Sequence, residues 1–252
     1  MGTLTSHIAT DGNGSFSASG QIPYDALPGV RDIILFFDPT DPVYNGNDPD
    51  ELATRQLFMV TSVGTKVIYV DASNTGVENG ENWETAYTDL QEGLDAAYIG
   101  DEIWVASGVY TPTLVHGGSE PRYRSFQMKD EVSILGGFQG NETHRDQRNW
   151  QKNNTVLSGD IGVPANKADN CYHVFYHPNT IVVSGSAVLD GFTITGGNAN
   201  GPSLHRHGGG MFNYHCSPTI INCTFWENSA CLGGGMKNFI FSAPSLVNSV
   251  FY

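Results

Sequence analysis

Cysteine is scarce in this chain: four among 252 residues, Cys171, Cys216, Cys223 and Cys231, with none in the first 170. No pair has Cys-x-x-Cys spacing, so a zinc ribbon and a thioredoxin-like redox centre have no support, and pairing such as Cys216 with Cys231 is not readable from sequence alone. Positive charge is equally thin, with 12 Lys and Arg against 26 Asp and Glu and a net charge of −14. A surface of that sign repels nucleic acid and anionic membranes, and meets a polyanionic glycan only through a bridging cation such as calcium. Long apolar runs are missing too, so no stretch approaches the length of a membrane span. The start, Met1 to His7, has neither the charged nor the apolar region of an export signal. Only 15% of residues are charged, whereas glycine numbers 30, a balance that suits an all-β protein with many turns better than a helical one.

What the chain does have is a repeat. Gly208-Gly209-Gly210-Met211-Phe212-Asn213 and Pro218-Thr219-Ile220-Ile221-Asn222-Cys223-Thr224-Phe225 return as Gly233-Gly234-Gly235-Met236-Lys237-Asn238 and Pro244-Ser245-Leu246-Val247-Asn248-Ser249-Val250-Phe251, after 25 residues at Gly233 and 26 at Asn248. A unit this short cannot bury its apolar face alone and must stack on copies of itself. Val188 to Ile194 reads as a third, less regular copy, lengthened by an insertion from Gly197 to His207, so regular repeats are expected from about residue 187. The asparagine ending each apolar run falls at a turn, where Asn tolerates the left-handed conformation. Asp190, Asn222 and Asn248 are therefore expected to form a side-chain ladder. Phe225 and Met211 are expected to point inward, which sends Trp226 and Phe212 outward as ring platforms for a sugar or a protein partner.

Upstream, Val67 to Asp71 alternates as a strand. Thr88 to Ala97 reads as a helix, with Thr88 and Gln91 as a capping box and Leu90, Leu94 and Ala97 on one face. A short amphipathic helix placed before the repeats is expected to cap the end of the apolar column. Residues 1–64 differ in character, with three strand candidates between polar, Pro- and Gly-rich loops.

Several segments resemble right-handed parallel β-helix proteins of the pectate-lyase-like fold, specifically bacterial surface proteins. They are Ile68 to Asp71, Trp83, Tyr87 to Gln91, Gly100 to Tyr110, Gly136-Gly137-Phe138 and Asp190 to Ile194. From 208 onward the repeats resemble the polymorphic outer-membrane-protein type, whose Phe-x-x-Asn motif is matched by Phe225-Trp226-Glu227-Asn228 and whose Gly-Gly-Ala-Ile motif is altered to Gly-Gly-Gly-Met. Asp11 to Phe16, Ile22 to Tyr24 and Leu27 to Gly29 resemble part of a bacterial immunoglobulin-like module. The resemblance implies an all-β chain with two domains. The first is a partial immunoglobulin-like β-sandwich at 1–64, and the second a parallel β-helix solenoid at 65–252, with a capping helix at about 88–97 and a last repeat cut at Tyr252. It also implies an extracellular or cell-surface module for adhesion or structural display, carrying no shared catalytic reaction, with a polysaccharide or a cell surface as partner.

Catalysis has little to draw on. Asp160 and Asp190 are the available hydrolase carboxylate pair, but both have the ordinary setting of turn residues beside glycine. Asp146 with Arg145 and Arg148 reads as a solvated charged loop. His207-Gly208-Gly209-Gly210 imitates an oxyanion-hole motif but lacks a Gly-x-Ser-x-Gly elbow, and the triple glycine recurs at Gly233 without a histidine. A polysaccharide lyase or glycosidase whose catalytic coils lie mostly beyond Tyr252 stands as the alternative. No cofactor is expected. His205 and His207, with His215 nearby, are the metal candidates, and the oxygen-rich stretch from Asp38 to Glu51 reads as an acidic inter-strand loop or a calcium site.

Overall fold

The chain divides into two units, Met1–Gly64 and Thr65–Tyr252. The computed structural model describes residues 65–252 and, before them, four two-residue strands: β1 (Ala9–Thr10), β2 (Phe16–Ser17), β3 (Ile34–Leu35) and β4 (Met59–Val60). β1 pairs with β2 and β3 with β4, both antiparallel. The remainder of the expected sandwich, and the stretch from Asp38 to Glu51, lie outside the described residues.

Residues 65–252 are mostly β, and their sheets are all parallel. The largest sheet runs β5 (Val67–Val70), β6 (Glu102–Ala106), β8 (Ser133–Phe138), β11 (Val188–Asp190), β15 (Thr219–Ile221) and β19 (Ser245–Val247). A second runs β7 (Gly108–Tyr110), β9 (Thr155–Ser158), β12 (Thr193–Thr195), β16 (Thr224–Trp226) and β20 (Val250–Phe251). A third holds β10 (Phe175–His177), β14 (Met211–Tyr214) and β18 (Met236–Phe239), and β13 (Asn198–Ala199) pairs with β17 (Ser229–Ala230). From β8 onward the chain visits the three large sheets in the same cyclic order.

Register makes the core. Because side chains alternate across a strand, one inward position per strand stacks on its counterpart in the next. In the first sheet these are Ile68, Ile103, Ile134, Leu189, Ile220 and Leu246. In the second they are Tyr110, Leu157, Ile194, Phe225 and Phe251, and in the third Phe126, Phe175, Met211 and Met236. All are buried except those of the last repeat, where Met236 is half-buried and Leu246 and Phe251 are exposed.

At the opposite end stands α1 (Leu90–Ala96). It buries Leu90 and Leu94 in the same core as Ile68 and Ile103. The cap residue differs from expectation: Asp89, not Thr88, accepts the backbone N–H of Gln91 at 2.8 Å. Thr88 is drawn away because its N–H and hydroxyl both donate to the Glu78 carboxylate, so the helix starts later than position 88.

The triple glycine is now explained. Gly208 and Gly233 turn with φ of 67° and 68°, a conformation that costs a β-carbon dearly. Gly210 and Gly235 leave room for a ring: a β-carbon there would stand 2.8 Å from Phe225 and 2.6 Å from Phe251. The glycine motif and the phenylalanine motif are thus two halves of one packing contact, repeated from one copy of the sequence repeat to the next.

Candidate functional site

Three polar constructions are built on these sheets. The first is a ladder at the end of the first sheet. Asn248 Nδ2 donates to Asn222 Oδ1 at 2.7 Å, and Asn222 Nδ2 donates to Asp190 Oδ1 at 2.8 Å. Asn222 and Asn248 are both left-handed, with φ of 51° and 47°. The other oxygen of Asp190 is paired with Arg148, whose guanidinium also donates to the carbonyls of Gly136 and Asp190. Arg148 is therefore an internal tie and not part of a solvated loop. Its neighbour Arg145 does reach outward, to Glu102 at 2.9 Å. Both oxygens of Asp190 are thus engaged in internal bonds, and the residue is buried.

The second construction was not legible as a site. His177 and Asn213 are fully buried on the third sheet. The N–H of Met128 donates to His177 Nε2 at 3.1 Å, which makes Nδ1 the protonated nitrogen, and it donates to Asn213 Oδ1 at 2.7 Å. Asn213 Nδ2 continues the chain to Asn238 Oδ1 at 2.9 Å. The imidazole is bonded at both nitrogens and the Asn213 amide at both its oxygen and its nitrogen, so the buried part of the row is paired without charge. Burial holds the His177 imidazole down to about 4. The signal was present: an amide two residues after Met211 and again after Met236, with His177 two after Phe175.

On the other side of the same sheet lies an aromatic and imidazole cluster. His173 Nδ1 bonds the Gly208 carbonyl at 2.8 Å, so its Nε2 accepts from His205 Nδ1 at 3.1 Å. Burial pushes His173 down to about 3 and also lowers His205. His205 sits among Tyr123, Tyr172 and Tyr176, with ring centroids 4.7, 5.8 and 5.1 Å away. His207 is bridged instead to Leu232. The two expected metal candidates thus face different partners: His205 lies inside the turn capped by Pro202 and His207 and is taken into ring packing, while His207 pairs with Leu232. Among the described residues no group of three or more His, Cys, Asp and Glu is placed to hold a metal.

Phe212 is a correction. It alternates with the inward Met211, yet it is fully buried, stacked between Tyr176 at 5.7 Å and Phe239 at 6.2 Å and beside His173. The outer side of the third sheet is itself covered by aromatic packing, so pointing outward does not expose it. Trp226 does reach solvent, 46% exposed, with Tyr252 edge-on at 5.4 Å. The two expected platforms therefore stand on different sheets and do not form one surface.

The third construction is a pocket of about 340 Å³ in the loop between β8 and β9, lined by Gln139, Asn141, Glu142, Gln147, Asn149, Lys152 and Asn153. Its walls are held by their own backbone. Glu142 accepts three successive N–H groups, from Gln139, Gly140 and Asn141, at 2.7 to 3.1 Å. Gln147 Oε1 accepts from Thr143 and His144 at 2.7 and 2.9 Å, and Asn149 Oδ1 from Lys152 at 3.2 Å. Asn153 Nδ2 donates to the Gly137 carbonyl at 3.1 Å, which leaves the other side-chain amides and the Lys152 ammonium as the donors of the pocket.

No family model, curated protein or solved structure matches this chain. The reading of function therefore rests on the geometry. All four cysteines are free. Burial pushes the thiols of Cys171 and Cys223 up to about 12 and raises that of Cys216, so these three are packed thiols and poor nucleophiles. Among the described residues, no helix is long and apolar enough to cross a membrane.

Proposed function

We propose that residues 65–252 wind as a right-handed parallel β-helix solenoid, and that the chain is a non-enzymatic extracellular or cell-surface module for adhesion or structural display that binds glycan. The observation that carries this reading is the use made of the repeated polar residues. Asp190, Asn222, Asn248, His177, Asn213 and Asn238 bond chiefly to one another along the stack, which is the work of a scaffold and leaves the surface to do the binding.

The glycan part is supported by the pocket between β8 and β9. Amides and one ammonium match sugar hydroxyls and a uronate carboxylate, and the walls are pre-set by backbone bonds, which limits the ordering cost of binding. Exposed Trp226 offers a ring face for a second contact.

The test is to screen the chain against neutral and acidic glycans for binding and, in parallel, for turnover, with and without calcium. Binding without new reducing ends or unsaturated uronate is the expected result, weakened by Lys152→Ala with no change in thermal stability. Released product would overturn it in favour of a polysaccharide lyase or glycosidase.

A further inference from the structure

We infer that the loop between Gly159 and Cys171 is a binding site for a hard divalent cation of the calcium class. The loop is closed at its neck by the Cys171 N–H donating to the Gly159 carbonyl at 2.9 Å, which sets Asp160 and Asn170 on its two sides. Within it, three acceptor oxygens are buried with no hydrogen-bond partner among the described residues: Asp160 Oδ1, Asp169 Oδ1 and Asn170 Oδ1. Each belongs to a side chain whose other polar atom is fixed. Asp160 Oδ2 accepts from Ala165 N–H at 2.9 Å, and Asp169 Oδ2 accepts from Val163 N–H at 2.9 Å and Asn166 Nδ2 at 3.0 Å.

Asn170 is the decisive member, because it is 4% exposed. Its Nδ2 donates to the Gly196 carbonyl at 2.6 Å, so a flipped amide would set two carbonyl oxygens against each other, and Oδ1 is held where it is. A buried acceptor without a donor costs about 1–3 kcal/mol, and more for a charged group. Three in one loop call for a common partner that offers positive charge and accepts no particular bond angle. Calcium takes six to eight oxygens at irregular angles from carboxylates, amide oxygens and water, whereas magnesium demands a near-ideal octahedron. The set lacks a third carboxylate, histidine or thiol, which separates it from transition-metal sites. Two cations face the loop: Lys167, exposed within it, and Arg122, which donates to the Asn170 backbone carbonyl at 2.7 Å and so leaves Oδ1 alone.

The inference is independent of the glycan reading. Titrating the chain with calcium alone, by calorimetry and by thermal melting, is expected to give a dissociation constant on the order of 0.1–1 mM, the range of extracellular modules, and a higher Tm. Magnesium is expected to do neither. Asp160→Asn and Asp169→Asn keep the shape and lose the charge, so each should weaken calcium at least about tenfold while leaving the calcium-free Tm unchanged, since an amide oxygen can still accept the Ala165 or Val163 N–H. Absence of both heat and Tm shift in the unaltered chain would overturn the site. So would calcium binding that survives in the double variant, which would place the ion elsewhere. A calcium-free Tm lowered as much as the calcium-bound one would make these side chains ordinary loop acceptors.

Discussion

At the scale of single residues, the Arg148–Asp190 pair is the most exacting feature. Both side chains are largely withdrawn from water, 11% and 6% exposed, and Asp190 is also the first rung of the asparagine ladder. Removing the guanidinium strands a buried carboxylate, a change that typically costs about 3–5 kcal/mol. Arg148→Ala is therefore expected to lower the unfolding free energy from urea titration by that order, and a loss under about 1 kcal/mol would show the pair to be a surface ion pair in effect. Asn222 separates two contributions at one position. Asn222→Gly keeps the left-handed backbone and removes the ladder bonds, whereas Asn222→Ala removes both. Equilibrium unfolding is expected to place alanine below glycine by about 1 kcal/mol, and equal stabilities would mean that backbone conformation is irrelevant there. The ladder positions could be named from the sequence because a turn asparagine after an apolar run has one local cause. Arg148 could not, since its partner is far along the chain and only stacking brings them together. Phe212 shows the same limit: alternation gives its direction, but the cover comes from His173, Tyr176 and Phe239 on separate segments.

Among the elements, the third sheet is the one whose stability should answer to pH. His177 lies within the sheet, and His173 packs on its other side. Both are neutral in the fold, held to about 4 and about 3 against an ordinary 6.5. Below pH 6.5 the unfolded chain takes up protons at these positions and the folded chain does not, so stability is complete above pH 6.5 and falls as the medium is acidified. The slope is roughly 1.4 kcal/mol per pH unit for each histidine. It ends near pH 4 for His177 and near pH 3 for His173, where the folded forms protonate as well. Urea unfolding at pH 7, 6 and 5 should show this decline, and His177→Gln should lessen its slope by one histidine's share. Equal stability at pH 7 and pH 5 would contradict buried neutral imidazoles. Helix α1 is a milder case. Its apolar face was legible from Leu90 and Leu94, but its start was not, because Glu78 competes for Thr88 from outside the local window.

For the whole molecule, the parallel β arrangement was readable because one period controls everything: the glycine triplet, the phenylalanine it admits and the asparagine at the turn recur together. The loop pocket was not readable, since its residues are ordinary amides whose orientation depends on backbone bonds such as those to Glu142. Within residues 65–252 the two outer edges of the sheets are unlike. α1 covers the side of Ile68 and Ile103. At the other, β18, β19 and β20 each have a neighbour on one side only. That edge also carries exposed apolar side chains, Leu246, Val247, Val250 and Phe251 between 42% and 49% and Phe241 at 86%. Open parallel edges with apolar side chains are templates for further pairing. Residues 1–252 are therefore expected to self-associate as concentration rises, measurable by sedimentation velocity. Replacing Val247 and Val250 with lysine should return the chain to monomer while leaving its melting temperature within a few degrees, because edge lysines oppose pairing and these valines are already half in water. A chain that stays monomeric at the highest soluble concentration would mean that the edge is protected in a way its exposure does not suggest.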